Sequence, residues 1–201
     1  TGKEIDFPMD FRIPKWCNNA SITVNGEKII FEKNKSIVTI NRTWKNGDLI
    51  KLNLPMEVKV SQWAENSRAI ERGPLVYGLK MKEIWQQETE ETEGNYFTVH
   101  TNSDWNYGLL REDIENTNKN VKVSSSPLKE DFKWNIENAP FELKIRAKKI
   151  PDWQAVNGLA HLPVSGREGI YKGNVTDKIE TINLIPVGFT KLRIQAFPVV
   201  N

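Results

Sequence analysis

The chain has 201 residues, with 28 Lys and Arg against 26 Asp and Glu and a formal net charge of +2. That near balance argues against a nucleic-acid binder, which carries a large basic excess. Apolar residues make up 38%, enough for a buried core, and no run approaches the roughly 18 apolar residues of a membrane-spanning helix.

The first 80 residues alternate between short apolar runs and turn signals. Ser21-Ile22-Thr23-Val24 leads into Asn25-Gly26 and then Glu27–Phe31. Asn-Gly between apolar runs predicts a type I′ hairpin, because both central residues need positive φ. Ser36–Ile40 is a β-branched run, and Asn46-Gly47-Asp48 marks the next turn. Leu49–Leu54 follows as a strand, then Met56, Val58 and Val60 alternating with Glu57 and Lys59, then Leu75–Leu79. Turn signals at this spacing predict a sandwich or barrel rather than βαβ units.

Residues 81–140 differ in charge. They hold 6 basic and 12 acidic groups, whereas residues 1–80 hold 13 and 9 and residues 141–201 hold 9 and 5. Glu88, Glu90, Glu91 and Glu93 crowd one short stretch, which reads as a solvated loop. Short strands are expected at Tyr96–His100, Tyr107–Leu110, Val121–Val123 and Phe132–Ile136, with a polar turn across Glu112–Lys119. After Pro140, Phe141, Leu143, Ile145 and Ala147 alternate strictly with polar residues and predict a strand with those four inward. Gly158–Gly173 is expected to be irregular and exposed. Ile179–Leu184 is a further strand, and Thr190–Phe197 the last, stopped by Pro198. The organisation expected is one part over 1–82, an acidic connecting loop over 83–95 and a second part over 96–201, with a single domain over 1–201 as the alternative.

Signatures of catalysis are scarce. Phosphate-binding glycine loops, G-x-S-x-G and H-E-x-x-H are all absent. Ser165-Gly166-Arg167-Glu168-Gly169 resembles a glycine-rich loop only superficially, since no helix pattern follows it. Cys17 is the only cysteine. An internal disulfide and a cysteine-rich zinc site are thereby excluded, and His100 and His161 are too few for a histidine cluster. A small buried residue is the better reading of Cys17 than a nucleophile, which needs a base. Glu71 and Glu180 read as solvent-facing strand positions, and no carboxylate pair suggests itself.

Seven tryptophans invite a sugar-stacking reading. Core packing competes, because each indole buries 150–250 Å². Trp44, between apolar strands, is expected in the core. Trp85 and Trp153 adjoin polar loops and are expected to be the most exposed, and Trp105 lies in a turn-like context. These three are the candidate carbohydrate-binding residues.

Several segments, in order, carry a resemblance. They are Phe11-Arg12-Ile13-Pro14-Lys15-Trp16, Ile40–Asp48, Leu54-Pro55-Met56-Glu57-Val58, Ile70-Glu71-Arg72-Gly73-Pro74-Leu75-Val76-Tyr77-Gly78-Leu79, Trp105–Leu109, Ala147–Trp153 and Ile182–Ile194. Together they resemble the C-terminal portion of the bacterial β-L-arabinofuranosidases of glycoside hydrolase family 127. The resemblance implies an all-β chain, an antiparallel, jelly-roll-like β-sandwich or two abutting ones, cut from a longer polypeptide. It also implies that catalysis belongs to an (α/α)₆ barrel with a cysteine nucleophile near zinc, so no catalytic residue, metal or cofactor is carried over here. The expected role is to buttress that barrel. A carbohydrate-binding module is the alternative. The expected partners are the barrel and an oligosaccharide, with no nucleic acid and no membrane, in a periplasmic or secreted bacterial setting rather than the cytoplasm. Arg42, Arg72 and Arg193 are expected to pair with carboxylates, within the chain or on the barrel.

Overall fold

The computed structural model describes residues 2–91 and 94–201. By contacts the chain forms two compact units, one ending at Glu57 and the other running Val58–Asn201.

The first unit holds five strands, β1 (Ile5–Arg12), β2 (Ser21–Val24), β3 (Glu27–Ile29), β4 (Ile37–Trp44) and β5 (Ile50–Asn53). β1 pairs antiparallel with β4, with Ile5 opposite Trp44. β2 is the centre of a second sheet, in the order β3-β2-β5. Strand periodicity turns Val38, Ile40 and Trp44 of β4 to one side, where they cluster with Ile13, Ile22 and Val24. Ile22 and Val24 are fully buried, each contributing about 1.5–3 kcal/mol of hydrophobic stabilisation.

Asn25 and Gly26 take φ of 53° and 86°, the positive pair the hairpin requires. The Asn25 carboxamide donates to Asp48 Oδ1 and accepts from the Leu49 N–H, both at 2.8 Å. Asn46-Gly47 does not close a hairpin, because β4 pairs with β1 and β5 with β2. It is a sheet-to-sheet turn, closed by the Asp48 N–H on the Lys45 carbonyl.

The second unit contains β6 (Val58–Gln62), β7 (Arg68–Arg72), β8 (Leu75–Leu79), β9 (Ile84–Glu90), β10 (Gly94–His100) and β11 (Tyr107–Leu110). Two short helices follow, α1 (Arg111–Glu115) and α2 (Thr117–Asn120), then β12 (Lys122–Ser125), β13 (Phe141–Lys149), β14 (Ala155–Val156), β15 (Leu159–Ala160), β16 (Ile179–Pro186) and β17 (Val199–Val200). The main sheet runs β17-β11-β13-β16-β8-β7-β6, with β12 also along β13. Leu143, Ile145 and Ala147 point inward as their alternation predicts. Across from them Leu184 pairs with Leu143 and Ile182 with Ile145, and Tyr77, Leu79, Leu109 and Phe197 complete the core. Gly73-Pro74 forms the two-residue β7–β8 turn, with the glycine at φ 60°.

Four expectations about local elements are corrected, and by contacts the compact division falls after Glu57, ahead of the expected connector at 83–95. Within that stretch residues 84–90 are β9, paired along β10 with Ile84 opposite His100. A two-stranded ribbon leaves Glu90 exposed and Glu88 only half-buried, taking the Thr98 hydroxyl, so charge does not oppose the strand; Glu93 lies outside the described residues. Phe132–Ile136 is irregular, because its aromatic residues meet Phe189 instead of a neighbouring strand. The polar stretch from 112 to 119 is mostly the helix pair α1–α2. Thr190–Phe197 forms no strand beyond a single bridge from Phe197 to Arg68, and the last strand, β17, starts after Pro198 instead of ending before it.

Candidate functional site

The three candidate tryptophans all lie in the second unit and have different environments. Trp153 is 6% exposed and packs with Leu110, Ile150 and Val200. Its indole N–H donates to the His161 carbonyl at 2.8 Å. It is a core brace and not the exposed side chain expected, because the polar loop after it folds back over the ring. Trp105, half-buried, meets Trp153 edge to face at 5.2 Å. Trp85 on β9 is 52% exposed. It lies edge-on to Phe97, itself 60% exposed, at 6.2 Å.

The structure therefore brings Trp105 and Trp153 together, and it links Trp85 through Glu83 to the segment at Thr190-Lys191. One Glu83 oxygen accepts from the Trp85 indole at 3.2 Å. The other accepts from the Thr190 hydroxyl at 3.1 Å and the Lys191 N–H at 2.6 Å. Lys191 and Trp105 line one open groove of about 410 Å³, with Met81 and Leu159 among the apolar lining and Arg193 as its second cation. The 190–194 segment is pinned from two directions. Glu83 holds its start, and the Leu79 N–H donates to the Ile194 carbonyl at 2.7 Å. Leu159 comes from the β14–β15 hairpin, whose Asn157-Gly158 turn takes φ of 52° and 75°.

Two exposed indoles were not singled out by the sequence. Trp63 is 51% and Trp134 70% exposed. Trp134 stacks on Phe189 at 4.6 Å, and Phe132 stands edge-on to both rings. The Phe-Lys-Trp alternation looked like a strand, which hid this cluster.

The remaining polar candidates are engaged structurally. Cys17 is buried, its thiol directed at the Pro55 carbonyl 3.7 Å away. Both histidines belong to the other unit. The Ser165 hydroxyl accepts from the Val199 N–H at 3.0 Å, so that glycine-rich loop anchors β17 and does not form a phosphate cradle. Glu71 is half-buried and takes the Ser61 hydroxyl. Glu180 takes the Tyr107 hydroxyl at 3.2 Å. Burial, then the nearby Glu180 and Asp104 charges, push the Tyr107 phenol up to about 12. Asp113, fully buried in α1, accepts from both the backbone and the guanidinium of Arg146. Among the described residues, no group of three or more His, Cys, Asp or Glu side chains could hold a metal ion.

The three arginines also separate. Arg42 lies 3.7 Å from Asp48 and over the Trp44 ring. Arg72 lies over Phe141 at 5.3 Å, and its buried Nη1 has no hydrogen-bond partner among the described residues. Arg193 is exposed, its Nε donating weakly to the Thr190 carbonyl at 3.4 Å, with no carboxylate partner among the described residues.

With this geometry in place, comparison with known proteins is decisive on one point. Residues 1–56 match the family model for the beta-L-arabinofuranosidase GH127 middle domain. The resemblance to family 127 is borne out. The match also refines the expected C-terminal placement, since for residues 1–56 the matching unit is a middle domain. Among solved structures, a GH127 beta-L-arabinofuranosidase from Geobacillus stearothermophilus T6 is 22% identical and matches over 98% of this chain, with a TM-score of 0.56. A GH127 beta-arabinofuranosidase is 18% identical over 99% of the chain, with a TM-score of 0.59. A third structure, described as a glycoside hydrolase, is 22% identical over 98%, with a TM-score of 0.57. At these identities the likeness is one of fold. The chain spans only 27–28% of the length of those structures. No curated protein sequence matches it.

Proposed function

We propose that this chain is the non-catalytic β-sandwich region of a glycoside hydrolase acting on L-arabinofuranosides, and that it buttresses a catalytic (α/α)₆ barrel in the same longer polypeptide. The observation that carries the reading is the combination of a middle-domain match at residues 1–56 with a fold that occupies just over a quarter of GH127 enzymes. The chemistry of the chain agrees with it. Its cysteine is buried against a carbonyl, and its buried aspartate is neutralised by Arg146. On this reading the region has no cofactor of its own and works in a periplasmic or secreted bacterial setting. Its exposed apolar side chains, such as Phe7, Trp85 and Leu159, offer contact surface to the rest of the polypeptide.

The test compares the longer polypeptide with and without these residues, by thermal unfolding and by hydrolysis of an aryl β-L-arabinofuranoside. Removal is expected to lower the unfolding temperature of the barrel, and the 201-residue chain alone is expected to release no aryl alcohol. Hydrolysis by the chain alone, or an unchanged barrel without it, overturns the reading.

A carbohydrate-binding module is the second reading, favoured by one observation. The Trp105 groove combines an indole with polar side chains at an open surface.

A further inference from the structure

We infer that the groove between Trp105 and the 191–194 segment binds an acidic sugar, a hexuronate or a glycan chain that carries one. The inference deepens the binding-module reading and is independent of whether the region braces a barrel. Three observations in one place carry it.

First, the groove has an aromatic wall that is held in place. Trp105 is half-buried and fixed edge-on by Trp153, which is itself locked by its hydrogen bond to His161. A pre-positioned indole takes the apolar face of a pyranose with little ordering cost on binding.

Second, both cations of the groove lack a carboxylate. Lys191 and Arg193 form no ion pair among the described residues. The carboxylates in this neighbourhood are already used. Glu83 takes the Trp85 indole, the Thr190 hydroxyl and the Lys191 backbone N–H. Asp104, next to Trp105, is paired with Lys149. The groove lining itself includes no acidic residue. A guanidinium and an ammonium left without a carboxylate beside low-dielectric walls favour an anion, and the planar guanidinium suits a carboxylate.

Third, the volume suits a sugar. About 410 Å³ of open groove holds a short glycan segment and falls in the range of small-molecule sites. The segment that carries both cations is fixed by Glu83 and by the Leu79–Ile194 hydrogen bond, so their spacing is set before a ligand arrives.

The experiment titrates the 201-residue chain with trigalacturonate and with neutral arabinotriose, by calorimetry and by tryptophan fluorescence. Trigalacturonate is expected to bind saturably and more weakly as salt rises. Arg193→Gln is expected to weaken it about tenfold, by loss of a charge-assisted contact. Arg193 is exposed, so this variant keeps the fold. Trp105→Phe, which retains an aromatic ring against Trp153, is expected to reduce both affinity and the fluorescence change. Failure of trigalacturonate to saturate, or equal affinity in Arg193→Gln, overturns the inference. Equal binding of arabinotriose overturns the acidic specificity. Displacement by hexaglutamate as readily as by trigalacturonate reduces the groove to a cationic patch and also overturns it. None of these outcomes bears on thermal unfolding of the barrel, so the two readings fail separately.

Discussion

The unit ending at Glu57 and the unit from Val58 onward follow the same β logic on different scales. The first gathers six buried apolar residues from two small sheets. The second gathers thirteen around one long sheet whose strands come from distant parts of the sequence. Small cores concentrate stability in single side chains, because fewer contacts share the load. Larger cores spread it, and they admit buried polar groups if each is fully satisfied. The contrast between Trp44 in the first unit and Asp113 in the second expresses this difference.

Trp44→Ala is the largest break expected. It removes an indole that is 7% exposed and donates to the Phe7 carbonyl at 3.0 Å, at about 3–5 kcal/mol. Hydrogen exchange should rise across residues 2–57 and much less in β13 and β16. Uniform loss of protection over the whole chain would dissolve the contrast.

Asp113→Ala tests the second unit. It removes the buried partner of the Arg146 guanidinium and N–H and leaves Glu112 as the remaining carboxylate on the guanidinium, at about 2–3 kcal/mol in urea unfolding. The pair is only partly enclosed, since the Arg146 side chain is 39% exposed, so water recovers some of that loss.

Gly108→Ala sharpens the packing argument. A Cβ there would lie 2.5 Å from Val200 Cγ1 and 2.9 Å from Ile150 Cδ1. Overpacking of this kind costs about 1–3 kcal/mol. The expected result is a lower urea midpoint with an unchanged m-value. An unchanged midpoint would mean that β17 moves aside freely.

The smallest effect concerns pH. The Tyr107 phenol is raised to about 12 in the fold, above its unfolded value near 10. Folding therefore favours the neutral phenol. That contribution is complete below about pH 10 and fades as pH rises through about 12. All four tyrosines are raised in the fold, so ultraviolet absorbance during alkaline titration should show a late phase, and Tyr107→Phe should make it smaller.

Much of the first unit was legible because its signals are local. Asn25-Gly26 demands positive φ wherever it stands, and the alternation of Val38, Ile40 and Trp44 marks a face without reference to anything else. The same holds for Leu143, Ile145 and Ala147 in β13. Legibility failed where a distant residue decides. Trp153 adjoins polar residues in sequence, yet Leu110 and Val200 bury it. Phe132 and Trp134 alternate like a strand, yet Phe189 collects them. The acidic run after Glu83 looked like a loop, because composition does not reveal that β10 supplies a partner for β9. Of the candidate site, Trp105 and Arg193 were visible in advance, Arg193 as a partner for a carboxylate; Lys191 looked like the polar face of a final strand.

The residues alone determined the β class, the hairpin at Asn25-Gly26, the inward face of β13 and the impossibility of an internal disulfide. Each follows from steric preference, two-residue periodicity or simple counting, which act over a few neighbours or none. Tertiary structure alone decided which indoles are covered and which cations stand without a carboxylate. Burial and ion pairing depend on residues far apart in the chain, brought together only when the long sheet closes β11, β13 and β17 over a common core.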